Sequence, residues 1–199
     1  MASKVQASQQ DRAETATRIL DVAERLVQVR GFNAFSYADV ASELNITKAA
    51  LHYHFPGKAE LGEALVTRYS ARFAEALAAV ETGLDDGPSR LDAYAQLYLD
   101  VLRDERMCLC GMLASEYPTL PQPMQDAVVR FFEDNETWLA RVLRQGKDDG
   151  TLHFAGSPTE TARMIVSGLE GAMLVARPHG DVARFSSVAS QLLAGVRSA

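Results

Sequence analysis

Residues 35–58 read FSYADVASELNITKAALHYHFPGK, and this stretch decides the fold. Its spacing predicts two short helices joined by a tight turn. Ser36 opens the first: its hydroxyl can accept from the backbone N–H three residues on, where Asp39 takes the acid position of a capping box. Val40, Ala41 and Leu44 recur at helical spacing and form one apolar stripe. Asn45 ends the helix, because asparagine tolerates the left-handed conformation a helix stop needs. Ile46 buries the turn and Thr47 is the cap of the next helix, which begins Lys48, Ala49, Ala50, Leu51. Leu51 is expected to point back at Val40 and Leu44, leaving Lys48, His52, Tyr53 and His54 outside. Pro56-Gly57 stops this helix and Lys58 starts another.

Two helices at such an angle form a helix-turn-helix, whose second helix enters the DNA major groove by its N-terminal end. Small helical proteins contain such pairs as plain architecture too, so the residues at the exit carry more weight. LHYHFPGKAEL resembles the L-Y-x-H-F-x-x-K-x-x-L signature that closes the recognition helix in the TetR family of transcriptional regulators. Upstream, ILDVAERLVQVRGFNAFSYADVASELNITKAALHYHF is similar to that family's N-terminal domain, and the similarity covers about Thr15 to Leu65. By that resemblance Thr47 to Tyr53 enters the groove, Lys48, Ala49 and His52 face base edges, and Ser36, Tyr37, Tyr53, His54 and Lys58 grip phosphates. His52 stands where the family usually has tyrosine, which bears on operator preference and not on fold. Ala49 offers apolar contact only, for instance to a thymine methyl.

Composition localises the DNA contact. The 199 residues carry a net charge of −6 and 47% hydrophobic residues. Residues 1–58 hold seven Lys/Arg against six Asp/Glu, whereas residues 59–199 hold thirteen against twenty. An acidic body repels DNA, which leaves the N-terminal end as the contact surface and favours a paired, dimeric site. Residues 1–14 are polar and lack the apolar core of a signal peptide. The longest apolar run, Met164 to Ala176, is broken by Glu170 and is too short to span a bilayer. Two cysteines, Cys108 and Cys110, make no disulfide framework, and the expected compartment is the cytoplasm.

The rest of the chain reads as helices, about nine in an all-α protein. Residues 1–14 are expected as a disordered arm, 15–57 as the three-helix DNA-binding head, and 58–199 as an effector-binding and dimerisation body. The first helix is placed at about Asp11 to Arg30 and the fourth at Lys58 to about Thr82. Further helices are placed at Ser89 to Asp104, about Cys108 to Glu116, Pro123 to about Gln145, Thr159 to Ala176 and Asp181 to Val196. Gly168, Gly171, Ala172, Ala176, Ala183, Ala189, Ala194 and Gly195 are small residues that permit close packing of the last two helices. The resemblance implies that these helices, about 159–197, pair with their copies in a homodimer. A dimer also suits two heads reading a palindrome in double-stranded DNA.

A regulator of this kind needs a sensor. Phe73, Tyr94, Tyr98, Tyr117, Phe131, Trp138 and Met173 are expected to surround one cavity for a small, mostly apolar effector. Cys108 and Cys110 lie in RMCLCGMLASE, similar to a G-C-L-x-x-x-L-A-x-E stretch found in a TetR subgroup that includes repressors of electrophile and oxidant response. A helix N-terminus with Arg103 and Arg106 nearby favours thiolate, while Asp104 and Glu105 oppose it. Both cysteines are therefore carried as effector-site residues, and a thiol switch through Cys108 stands as an alternative to ligand release. The bland alternative is that both are small buried core residues.

Other chemistry finds little footing. His52 and His54 are two apart on a helix and diverge, so they cannot chelate as an i, i+4 pair would. His153 and His179 have no Cys or carboxylate cluster at ligand spacing. There is no Gly-rich phosphate loop and no G-x-S-x-G elbow. The expectation is a regulator without catalytic residues, metal or cofactor. The competing class is a small-molecule-binding or enzymatic helical domain whose helix-turn-helix is scaffold.

Overall fold

A computed structural model describes residues 2–197 of the chain, with side chains from Gln10 onward. Nine α-helices follow one another among them: α1 Ala2–Arg30, α2 Tyr37–Leu44, α3 Lys48–His54, α4 Lys58–Gly83, α5 Gly87–Arg103, α6 Leu109–Ser115, α7 Gln122–Asp148, α8 Pro158–Ala176 and α9 Val182–Ala194. Single 3₁₀ turns stand at Tyr117–Thr119 and Arg177–His179. An isolated antiparallel bridge pairs Leu152 with Arg197.

The helix boundaries have local causes. Asp39 accepts from both the N–H and the hydroxyl of Ser36, at 2.7 and 2.6 Å, and starts α2. Asn45 ends it with φ of 54°, and Ile46 N–H then returns to Ala41 O at 3.0 Å. Thr47 Oγ1 accepts from Ala50 N–H at 3.1 Å and starts α3. Two boundaries differ from expectation. Helix α1 begins at Ala2 rather than Asp11, because residues 2–14 contain no Gly or Pro and are rich in Ala, Gln and charged helix formers. Helix α7 runs through Gly146 to Asp148: a Cβ at Gly146 would meet Leu152 Cγ at 2.6 Å, so this glycine admits a neighbouring side chain instead of stopping the helix.

In the head, Ile19, Ala23, Leu26 and Val27 of α1, Val40 and Ala41 of α2 and Leu51 of α3 are buried together. The body packs α7 on α8, α8 on α9 and α4 on α7. Its core is drawn from Leu91, Tyr94, Tyr98, Phe131, Leu139, Leu143, Ile165, Leu169 and Phe185. Helix α4 belongs to both parts. Near its start, Gly62 admits Met124 of α7 and Phe32 of the head at distances no Cβ would allow. Further along, Arg68 and Arg72 both pair with the buried Glu24 of α1.

Candidate functional site

Helix α3 is seated by one residue. Leu51 is fully buried, whereas Thr47, Lys48, Ala49, His52 and Tyr53 are exposed and His54 is half-buried. The five exposed residues form the outward face of a seven-residue helix, the face that the sequence assigned to the groove. Tyr53 is 64% exposed.

The residues around this face sort into two groups. Tyr37 does not present its hydroxyl outward: the oxygen lies 2.9 Å from Phe55 O and 2.6 Å from Gly57 O. Burial, aided by the Glu60 carboxylate, pushes its pKa up to about 12. Lys58 donates to the Phe35 carbonyl, and its ammonium sits 4.4 and 4.8 Å from the ring centroids of Phe35 and Phe32. Burial lowers its pKa. Both residues brace the turn from α3 into α4. The Ser36 hydroxyl proton goes to Asp39, and that contact holds the Asp39 carboxyl below the ordinary carboxylate range. Of the five expected phosphate grips, Ser36 and Tyr53 are exposed, whereas Tyr37, His54 and Lys58 are half-buried.

His52 is held more tightly than its exposure suggests. Its Nδ1 is 2.9 Å from Pro56 O, and its ring lies 4.8 Å from that of Tyr37. A carbonyl only accepts, so Nδ1 carries a proton, and in that tautomer Nε2 is left as an acceptor.

Arg12, unmarked by the sequence reading, joins this surface. Its guanidinium lies 4.6 Å from the Tyr53 ring centroid. Together with burial it lowers the pKa of His54, whose ring meets Tyr53 edge-on at 5.4 Å. The signal was hidden because Arg12 fell in the stretch expected to be disordered.

Inside the body the aromatic residues meet. Phe73 is edge-on to Tyr94, Tyr98 and Phe131, with centroids 6.2, 6.0 and 5.2 Å away. Tyr94 stacks on Trp138 at 5.7 Å. Tyr94 OH reaches Tyr98 OH at 3.0 Å and Asn135 Oδ1 at 3.1 Å. Tyr69 joins through Phe73 and Phe131. The rings are in contact with one another, and of the expected lining residues among them only Phe73 is half-buried. Met173 is fully buried on α8. Tyr117 stands apart on its 3₁₀ turn, where its carbonyl accepts from Gln125.

The cysteines do not make a reactive pair. Cys108 Sγ does cap α6, accepting from Gly111 N–H at 3.5 Å, and lies 3.6 Å from Tyr69 OH. Yet Cys108 and Cys110 are 1% and 0% exposed. Burial, with the Glu170 carboxylate beside both, pushes both thiols well above their ordinary range. The thiolate expected from Arg103 and Arg106 is disfavoured, and the thiol-switch reading goes with it.

Glu170 is the residue the aromatic inventory missed. Although the residue as a whole is only half-buried, its Oε1 is enclosed and has no hydrogen-bond partner. Its carboxylate lies over Gly111, where a Cβ would come within 2.3 Å of Oε2. Burial pushes its pKa up to about 7, opposed by a hydrogen bond with Cys108. The only hint in the sequence was an acid interrupting the apolar run of α8.

Helix α6 connects this interior to the head. Past its far end, Glu116 accepts from Phe32 N–H at 2.6 Å and from Asn33 N–H at 3.3 Å. Gln28 O accepts from Met107 N–H at 3.2 Å just before it begins. Arg177, at the end of α8, donates to Val29 O of α1 and reaches Met112 Sδ of α6. None of these links was anticipated, since each joins residues far apart in sequence.

Two family models match the chain. The family described as bacterial regulatory proteins, tetR family, matches residues 19–65, and a tetracyclin repressor-like C-terminal domain matches residues 87–192. A TetR-family regulator from Agrobacterium tumefaciens superposes with a TM-score of 0.91 at 33% identity, covering 94% of this chain and 100% of that one. One from Legionella pneumophila gives 0.80 at 31% identity, covering 90% and 96%. The transcriptional repressor NemR of Escherichia coli K12 is 24% identical over 82% of this chain and 84% of its own length. All three relatives are transcriptional regulators.

Proposed function

Given that this chain belongs to the tetR family of bacterial regulatory proteins and is a DNA-binding transcriptional regulator, we propose that it is a homodimeric repressor released from a palindromic operator by a small effector. The observation that carries the DNA half of this reading is the outward face of α3: Lys48, Ala49, His52 and Tyr53 are presented on a helix that the buried Leu51 fixes in place. Arg12 and His54 extend the face beside the groove.

The dimer half is supported by α8 and α9. Met164, Leu174, Val175 and Val188 are 47%, 62%, 60% and 47% exposed on these two helices, an apolar surface that pairing with a second copy would bury. The small residues divide their work. Gly168 admits Leu192 of its own chain, while a Cβ at Gly171 would meet nothing within 4 Å, so Gly171 is open to a partner.

The effector acts among the rings of the body. Parting them moves α6, α4 and the end of α8, and through Glu116, Glu24 and Arg177 the separation of the two heads. An effector releases DNA only by binding the released geometry more tightly than the bound one. No described helix is long and apolar enough to cross a membrane, in keeping with action in the cytoplasm.

Selection of bound duplexes from random DNA by the purified protein, repeated over a range of salt, tests the reading. Enrichment of one palindrome, with affinity falling as salt rises, supports it. Weak retention without enrichment or salt dependence rejects it.

A further inference from the structure

We propose that the effector is a compact organic cation, its charge set against the Glu170 carboxylate and its apolar body among the rings of Tyr69, Phe73, Tyr94, Tyr98 and Trp138. This rests on the effector-released regulator proposed above and names the chemical class of its ligand.

The starting point is a carboxylate whose hydrogen bond with the neutral Cys108 thiol brings it no positive charge. Glu170 sits on the inner side of a helix whose buried residues are Thr161, Ala162, Ile165, Val166, Leu169, Ala172, Met173 and Ala176. Among the described residues it takes part in no ion pair, and its Oε1 hydrogen-bonds to nothing. Among the groups whose titration is shifted, those raised by its charge are Cys108, Cys110, Tyr69, Tyr94 and Tyr98. None of these can carry a positive charge. Enclosing a carboxylate without a cation is costly, and a ligand that brings the cation removes that cost.

The surroundings suit the rest of such a molecule. From Glu170 the path runs through Cys108 to Tyr69 OH and on through Phe73 and Phe131 to Tyr94 and Trp138. Aromatic faces attract a desolvated cation through the ring quadrupole, whereas they give an anion nothing. Trp138 Nε1 also lacks an acceptor, so a hydroxyl or carbonyl on the ligand has a donor to meet. Phe73 is the half-buried member of the ring set and gives it an edge toward solvent. The acidic balance of residues 59–199 raises the local concentration of cations over that of anions. A neutral apolar ligand would leave the carboxylate as it is.

The experiment uses the full chain and an isosteric pair, phenyltrimethylammonium and uncharged tert-butylbenzene. Binding is followed by the fluorescence of Trp138, the only tryptophan in the chain, and release by loss of the operator obtained from random-sequence selection. The expected result is affinity for the cation on the order of tenfold or more above its isostere. Glu170→Gln should lose that margin, keep its affinity for the isostere and still bind operator. In the wild type, cation affinity should climb as pH rises through about 7 while isostere affinity stays level; this readout needs no variant to fold.

Equal binding of the pair, or a cation margin kept in Glu170→Gln, overturns the proposal. So does silence toward a series of quaternary ammonium ions from tetramethyl- to benzyltriethylammonium. Release by uncharged probes alone overturns the cation and leaves the regulator reading standing. Failure to select any operator is instead a failure of that reading.

Discussion

Glu116 Oε2 lies 2.6 Å from the backbone nitrogen of Phe32, so a carboxylate just past α6 caps the turn that leads from the first helix of the head into the second. The same carboxylate packs on Gly31, whose φ of 94° and lack of Cβ let it approach. A charged hydrogen bond of this kind is worth about 1.5–3 kcal/mol when lost. Glu116→Ala should therefore lower the melting temperature by on the order of 3–10 °C. The variant should still bind operator but need more effector for release. Titrating release in the two proteins checks this, and an unchanged midpoint would remove Glu116 from the coupling.

Tyr37 is a brace, and its loss should be indifferent to sequence. Tyr37→Phe removes a hydroxyl shared by the Phe55 and Gly57 carbonyls, at about 1–2 kcal/mol. Affinity should fall by roughly tenfold and equally for all operator variants. Anisotropy titrations on a set of single-base operator variants distinguish this from a change in preference.

His52 should behave in the opposite way. With Nδ1–H committed to Pro56 O, that tautomer of His52 presents Nε2 as an acceptor, which pairs with the exocyclic amine of adenine or cytosine. Selection with His52→Phe should relax one position of each half-site by about 1–3 kcal/mol and leave the others alone. An unaltered consensus would take His52 off the base edge.

Much of the head was legible because its signals are local. Ser36 with Asp39, Asn45, Thr47 and Pro56-Gly57 each act within four residues, and the structure follows them. The site was legible only where exposure follows helix phase, as for Lys48, Ala49, His52 and Tyr53. Tyr37 and Lys58 look like surface polar residues in sequence, yet their partners at Gly57 and Phe35 lie 20 and 23 residues away. Glu116, Glu170 and Arg177 work across whole helices, and no periodicity encodes that. For the cysteines the buried-core alternative is the one the structure follows: burial, and then the Glu170 carboxylate on another helix, raises both thiols against any pull from Arg103 and Arg106.

That rise can be measured. In the native protein neither thiol should react with a disulfide reagent at neutral pH over minutes, and both should react once the chain is unfolded. Rapid native labelling of Cys108 would restore the thiolate.

Stability should carry the mark of Glu170. Its folded pKa of about 7 exceeds the unfolded value near about 4.3, so the folded state holds this proton more tightly. The contribution is fully present below the unfolded value, is lost as pH rises toward about 7 and levels off above it. Glu170→Gln should therefore gain on the wild type with rising pH, by on the order of 2–3 kcal/mol at pH 8, and by little at pH 4.5. Denaturant titrations at the two pH values decide it.

Helix α8 carries Glu170 on its inner side, Leu174 and Val175 on its outer side, and ends at Arg177, whose guanidinium holds Val29 of the head. Three properties thus share one rigid rod, and a substitution there trades one against the others. Anyone retuning this protein as a biosensor for a new inducer would find fewer crippled variants by randomising the ring-bearing positions of α5 and α7, which bear on the inducer and not on the outer face of α8, and by leaving α8 as it stands.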